Sequence, residues 1–178
     1  VEQIPRGADL REGQKPLMKI FKDLSTDPLS SITSAIAKMG EGEGAAIQII
    51  ISPANPDWKK SGRGFIGGVK KNEANPDKAS YQTDAKEIES IENKLGKPGF
   101  NVTIRIVVCS FTQSQADSHI SNITQSFGQY STTGNKFKKN RIYFKGLFMQ
   151  DFIYRYVPLF GQQSVLTSEE LATIFHFP

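Results

Sequence analysis

The stretch that decides the fold reads AAIQIII and runs from Ala45 to Ile51. It is short, mostly apolar and rich in β-branched residues, which predicts a buried central strand that Pro53 closes. A second stretch, from Phe100 to Cys109, alternates between apolar and polar residues and predicts another central strand. Two such strands favour a sheet that other elements of the chain cover.

Helices are predicted on either side of these strands. They begin near four positions that carry a capping residue or start an apolar helical spacing, namely Asp27, Ala79, Thr112 and Thr167. The stretch from Asn135 to Tyr143 is predicted as a strand, and Leu147 to Tyr156 as either a helix or a buried irregular segment. This order predicts an α+β fold with a small mixed or antiparallel sheet and helices packed on one face, in a ferredoxin-like arrangement.

The chain of 178 residues has the length of one domain. Residues 1–16 are polar and are interrupted by proline and glycine, which predicts a linker or peripheral arm, so a single domain is expected at 17–178. Residues 53–78 are rich in glycine, proline and charge and predict a long surface loop. Because the chain starts at Val1 without an initiator methionine, we expect a piece of a longer protein.

The net charge of +4 is concentrated in one segment. No acidic residue occurs between Asp117 and Asp151, while five basic residues stand there, at Lys136, Lys138, Lys139, Arg141 and Lys145. With Tyr143 and Phe144 beside them, these cations can hold phosphate and stack on bases, which predicts a nucleic-acid or partner site. An edge strand whose lysines oppose aggregation is the alternative.

The predicted loop at 53–78 offers a second basic surface. It contains Lys59, Lys60 and Arg63, with Trp58 as a candidate exposed anchor for a partner. A loop whose charges are simply solvated is the alternative interpretation. Both basic surfaces are therefore candidate binding sites.

The sequence provides little for catalysis. It contains no GxxxxGK[ST] stretch to bind ATP, and the GxGxxG match at Gly62 to Gly67 lies in the predicted loop without the strand and helix that dinucleotide binding requires. Cys109, His119 and His176 are too few and too scattered for a zinc site or an activated nucleophile. We therefore predict no catalytic residue, no cofactor, no metal and no enzymatic activity of the chain itself.

The expected compartment is the cytoplasm. A single cysteine fits a reducing environment. No apolar run approaches the roughly 20 residues that a membrane-spanning helix needs.

Three stretches of the chain carry a resemblance: Asp27 to Ile32, Gly42 to Ile51 and Leu166 to Pro178. They resemble an uncharacterised domain upstream of the motor in type IV secretion coupling-protein-like ATPases of bacteria, similar to TraG, VirD and the HerA/FtsK translocases. The resemblance implies a non-catalytic accessory domain that acts in protein–protein assembly or substrate engagement during DNA transfer. The implied partners are the motor domain of the same parent chain, a second copy and DNA, at the cytoplasmic face of the membrane.

Two functions therefore stay open on the sequence. The first is the accessory, protein-binding domain of a DNA-transfer ATPase. The second is a nucleic-acid-binding module that guides DNA through the basic segment at 136–145.

Overall fold

An antiparallel sheet lies at the centre of the computed structural model, which describes residues 4–12, 18–20, 23–24, 27–74, 85–132, 135–157 and 164–175. Its strands in the described ranges are β1 (Ile4–Glu12), β2 (Gly44–Pro53), β3 (Gly99–Ser110), β4 (Phe137–Asn140) and β5 (Ser164–Thr167). The helices are α1 (Pro28–Ile36), α2 (Asp57–Glu73), α3 (Ala85–Gly96), α4 (Gln113–Ser126), α5 (Lys145–Tyr154) and α6 (Ser168–Ile174). A short 3-10 turn, Phe127–Tyr130, extends α4.

The strand order is β2-β3-β1-β4, and every neighbouring pair is antiparallel. In the described part of the chain β2 is therefore an edge strand without a fully buried side chain, so the prediction that 45–51 forms a buried central strand is wrong in its position, whereas β3 is central as predicted. The unit β1-α1-β2 and the unit β3-α4-β4 interleave in this sheet, as in ferredoxin-like folds. The predicted α+β, ferredoxin-like fold is therefore confirmed. The α2–α3 pair is inserted between β2 and β3, and β5 pairs with β3 next to the end of β1, at Gly99 to Val102.

The main core lies between the sheet and the helices α1 and α4. Every second side chain of β3 points into it, and Ile104, Ile106 and Val108 are at most 1% exposed. From α4, Ile120 and Ile123 pack against them. Because successive side chains of a strand alternate between faces, the intervening residues of β3 point to the opposite face of the sheet.

The caps predicted from the sequence position the helices. The Asp27 carboxylate accepts a hydrogen bond from the N–H of Leu29 at the start of α1, and Thr112 opens α4. At α6 the Thr167 side chain and Glu170 form a complete capping box. These predictions are confirmed, and α5 resolves the alternative left open for 147–156 in favour of a helix.

A buried ion pair joins α3 to α6. Lys94 Nζ lies 3.3 Å from Glu170 Oε1, and the two side chains are 5% and 0% exposed. The same carboxylate accepts hydrogen bonds from the backbone N–H groups of Met18 and Thr167, both at 2.8 Å. A buried carboxylate with this set of donors ties three parts of the chain together.

The prediction of a linker at 1–16 is wrong for the nine residues of β1. This strand pairs with β3 from Ile4↔Ser110 to Leu10↔Ile104 and with β4 on its other side. Main-chain hydrogen bonds on both sides can hold a polar segment in a sheet without a strong apolar pattern of its own.

The prediction of a loop at 53–78 is also wrong, because α2 occupies Asp57–Glu73; residues 75–78 lie outside the described ranges. The four glycines of α2 lower its helix propensity, but packing against α3 compensates. Ile66 is buried with Ile91 and Leu95, and a Cβ at Gly62 would lie 2.6 Å from Leu95. The GxGxxG match is therefore helical, and its first glycine allows the two helices to approach closely.

Candidate partner-binding surface on β4 and α5

Large apolar side chains are exposed in and around α5. Seven of the ten exposed large apolar residues in the described ranges lie within 143–157, and we call these seven the α5 ridge. They are Tyr143, Phe144, Leu147, Ile153, Tyr154, Tyr156 and Val157. The first two are 76% and 75% exposed. Clusters of this kind mark interaction surfaces in soluble domains.

Polar contacts fix the end of α5 to the sheet, and none of the side chains of this helix is fully buried. Arg105 of β3 is 2% exposed and points away from the main core. Its Nη1 donates to the carbonyl of Asp151 at 3.0 Å, and its Nη2 donates to that of Tyr156 at 2.8 Å. A positive charge next to the last carbonyls of a helix is favourable both as a donor and through the helix dipole.

Gln48 of the neighbouring strand binds the same end of α5, and we call Arg105 and Gln48 together the clamp. Its Nε2 donates to the carbonyl of Phe152 at 2.9 Å, and its Oε1 accepts from Arg105 Nη1 at 3.2 Å. The two residues are direct partners across β2 and β3. The C-terminal end of α5 is therefore fixed to the sheet through main-chain carbonyls, while Leu147, Ile153 and Tyr154 stay exposed.

The chain leaves α5 through a left-handed residue. Arg155 has a φ of 58°, a conformation that costs a non-glycine residue about 1–2 kcal/mol. The N–H of Tyr156 donates a hydrogen bond to the main-chain carbonyl of Asp151 across this turn, at 3.0 Å. The turn brings the rings of Tyr154 and Tyr156 into a stack, with centroids 5.6 Å apart and planes at 21°.

The predicted basic residues lie beside this ridge. β4 is an edge strand of the sheet, and Lys136, Lys138, Lys139, Arg141 and Lys145 are all exposed along it and at the start of α5. The Arg141 guanidinium stands 5.5 Å from the centroid of the Tyr143 ring. Among the residues whose side chains the structure describes, no carboxylate forms an ion pair with any of the five. The structure therefore brings the five together as one positive edge.

A cleft of about 390 Å³ opens between α4, β4 and α5. Its apolar lining comes from Ile120, Ile142, Phe148 and Met149, and three of the predicted cations, Lys139, Arg141 and Lys145, also line it. Asp117 of α4 is the one carboxylate among the described residues of the lining. The volume lies in the range of small-ligand and side-chain pockets.

The second predicted basic surface lies elsewhere, on α2. Lys59 stands 5.5 Å from the centroid of the Trp58 ring, Lys60 pairs with Asp57 at 3.0 Å, and Arg63 is exposed. β2, which precedes α2, and β4 form opposite edges of the sheet. The structure therefore does not join this group to the β4 edge.

The prediction of Trp58 as an exposed anchor is wrong. Its ring covers Gly99, where a Cβ would lie 2.7 Å from the indole, and it packs against the α2–α3 cluster. The side chain is half-buried because it seals the start of β3.

A group of catalytic residue types lies near the start of β2. His119 Nε2 is 3.2 Å from Glu43 Oε2, and the Ser110 hydroxyl together with the N–H of Gly40 holds the pKa of the Glu43 carboxyl below its usual value. Glu43 Oε1, Ser110 Oγ and His119 Nδ1 are buried without a well-formed hydrogen bond in the described ranges. An activated serine needs the histidine as its neighbour, whereas here the glutamate lies between them. The group does not have the geometry of a catalytic triad.

Sequence reasoning missed the clamp and this group. The signal for the clamp was present, because Gln48 and Arg105 are each flanked by apolar residues in the sequences of β2 and β3. For the group around Glu43 no signal is visible, since its members are far apart in the chain. Among the described residues, no three His, Cys, Asp or Glu side chains are arranged to hold a metal ion.

Comparison with known proteins gives a family without an assigned role. The family model described as "Domain of unknown function (DUF8128)" matches residues 6–178. No curated protein matches the chain. Within the described part of the chain, no helix has the length and apolar character needed to cross a membrane.

Proposed function

The chain belongs to the DUF8128 family, and we propose that it is a non-catalytic accessory domain that binds a partner protein through the α5 ridge. The observation that carries this proposal is the way in which α5 is held on the sheet, through hydrogen bonds to its main-chain carbonyls. Buried Arg105 and half-buried Gln48 bind carbonyls at the end of the helix, while Leu147, Ile153 and Tyr154 stay exposed. A rigid helix that presents apolar and aromatic side chains is a common form of protein-binding surface.

The proposed setting is a type IV secretion or conjugative DNA-transfer ATPase. It is supported by the resemblance of the stretches at 27–32, 42–51 and 166–178 to a domain upstream of such motors. In that setting the partner is the motor domain of the same parent chain or a second copy of this domain. The domain then works at the cytoplasmic face of the membrane, in assembly or in substrate engagement.

The test compares ridge variants with an equally exposed apolar residue elsewhere. Leu147→Asp and Tyr154→Asp should each weaken binding to the separately produced motor domain, or self-association, by about tenfold or more. Phe175→Asp is the matched control, because Phe175 is 55% exposed and Leu147 is 53% exposed. Binding is measured by calorimetry and self-association by sedimentation. Equal effects of all three variants, or no effect of the ridge variants, would refute the proposal.

The second candidate function is nucleic-acid binding by the positive β4 edge. It is favoured by the contact between Arg141 and the exposed Tyr143 ring, which offers a cation and a stacking surface side by side. Affinity for single-stranded DNA should then fall steeply as salt rises. Lys138→Glu and Lys139→Glu should lower the salt slope by about one each, whereas Arg63→Glu on α2 should not. A salt slope near zero would exclude this function.

A further inference from the structure

We propose that the cleft between α4, β4 and α5 binds an apolar side chain from an acidic segment of the partner protein. This inference rests on the proposed function, and it names the chemistry of the partner. The ridge would supply the broad contact, while the cleft would hold one anchoring side chain and select for acidic neighbours around it.

The lining of the cleft fits an aliphatic side chain. Ile120 and Ile142 come from α4 and from the link after β4, and Phe148 and Met149 come from α5. Because Ile120 is only 1% exposed and belongs to the main core, one wall of the cleft is firmly positioned. Methionine adapts its shape to different ligands, which suits a pocket that receives a side chain.

The charge of the lining fits acidic neighbours. Among the described lining residues, the three cations Lys139, Arg141 and Lys145 outnumber the one carboxylate, Asp117, so this part of the lining is net positive. The three cations are exposed, and none of the carboxylates whose side chains the structure describes forms an ion pair with them. Acidic residues on either side of the inserted side chain would be attracted to them, which favours a correct register of the bound segment.

An acidic peptide fits this cleft better than a nucleic acid does. Bases bind by stacking on exposed rings, and the two most exposed rings of this surface, Tyr143 and Phe144, are not among the lining residues. The one ring in the described lining, that of Phe148, is half-buried, and beside it two isoleucines and a methionine match an aliphatic side chain.

The test uses a short acetylated peptide in which one leucine is flanked by glutamates, titrated into the whole chain and followed by NMR. Saturable shifts are expected at the amides of Ile142, Gly146 and Met149. Exchanging the leucine for alanine should weaken binding about tenfold, since several buried methyl and methylene groups are lost. Exchanging the glutamates for lysines should abolish binding.

Gly146→Leu tests the cleft from the protein side. Gly146 lines the cleft, lies in α5, and has open space where a Cβ would stand, so leucine can occupy the cleft without a clash. Because leucine also favours the helix, loss of folding is not expected. Peptide binding should weaken about tenfold in this variant. Gly68→Leu is the matched control, since Gly68 lies in α2 with open space of the same kind.

The outcomes separate this inference from the proposed function. Peptide binding that survives Gly146→Leu, or that does not need the leucine, overturns the cleft as the site. So does a single-stranded oligonucleotide that shifts the same amides and displaces the peptide. If Leu147→Asp abolishes binding of the motor domain while Gly146→Leu leaves it intact, the ridge is supported as the partner-binding surface and the cleft is rejected as the site of an anchoring side chain. If Leu147→Asp has no effect on that binding, the proposed function fails, and the peptide titration still reports on the cleft.

Discussion

Replacing Arg105 by methionine should release α5 from the sheet while the sheet itself stays folded. The guanidinium donates to two carbonyls at the end of this helix, those of Asp151 at 3.0 Å and Tyr156 at 2.8 Å. Methionine keeps much of the apolar length of the side chain but donates no hydrogen bond. The bond from Gln48 to Phe152 and the packing of the half-buried apolar side chains of α5 would remain.

The size of the effect follows mainly from these two hydrogen bonds, because the Asp151 carboxylate lies 3.8 Å from Arg105 Nη2, beyond hydrogen-bond distance, and is partly exposed. Bonds from a charged donor contribute about 1.5–3 kcal/mol each, but water can replace this donor at the half-exposed end of a helix, so about 1–1.5 kcal/mol for each is realistic. Together they amount to about 2–3 kcal/mol. The equilibrium for local opening of α5 should therefore rise about 30- to 150-fold.

Hydrogen–deuterium exchange of single backbone amides measures this opening directly. In Arg105→Met, amides of α5 should exchange faster by the stated factor, while amides of β3 change much less. Arg63→Met is the control, because Arg63 is an exposed arginine on α2. Equal acceleration in β3 and α5 would show that Arg105 stabilises the whole sheet, and unchanged exchange in α5 would show that the clamp does not hold it. Either result would refute the reasoning.

Three further changes test other features of the fold. Glu170→Gln should lower the free energy of unfolding by about 3 kcal/mol in urea, because buried Lys94 loses its carboxylate; a smaller loss than that of Lys94→Met would contradict this. Folding lowers the pKa of Glu43 from 4.5, so the ionised carboxylate contributes fully to the free energy of unfolding above that pH, and this contribution is lost as the pH falls through the lower folded pKa. Glu43→Gln should therefore make the free energy of unfolding less dependent on pH in the acid range. An unchanged pH dependence would argue against this role of Glu43. Gly42→Ala should cost about 1–2 kcal/mol on thermal unfolding, because φ is +81° there, whereas Gly44→Ala, with open space around it, should cost little.

The parts of the fold that were predictable are those whose signal is local. β2 has a mostly apolar, β-branched run and β3 an alternation of apolar and polar residues, and the caps at Asp27 and Thr167 depend on residues only a few positions apart. β1 was missed because its evidence is pairing with β3, about a hundred residues away in the chain. α2 was missed because its high glycine content, which is visible locally, predicts a loop. The packing of Ile66 against α3, which stabilises the helix, involves residues that are distant in the chain.

The candidate site also has one part that the sequence could predict and one part that it could not. The positive charge of the β4 edge is a property of composition and was predicted residue by residue. The α5 ridge could not be predicted, because an aromatic-rich segment buried in a core and one exposed to solvent have the same sequence. Only the position of Arg105 in the sheet decides between them, since its contacts to main-chain carbonyls hold α5 without burying the apolar side chains of the ridge.

That arrangement has a consequence for stability and binding together. A helix that buried Leu147, Ile153 and Tyr154 on the sheet would gain about 1.5–3 kcal/mol for each large side chain, so their exposure forgoes a considerable stabilisation of the isolated domain. A partner that covers them recovers this free energy on association, and it meets a helix that is already ordered, so little further conformational entropy is lost. The polar clamp of Gln48 and Arg105 makes possible both the exposure of these side chains and the order of the helix before a partner binds. Its loss should therefore weaken partner binding even though neither residue is exposed enough to contact a partner extensively.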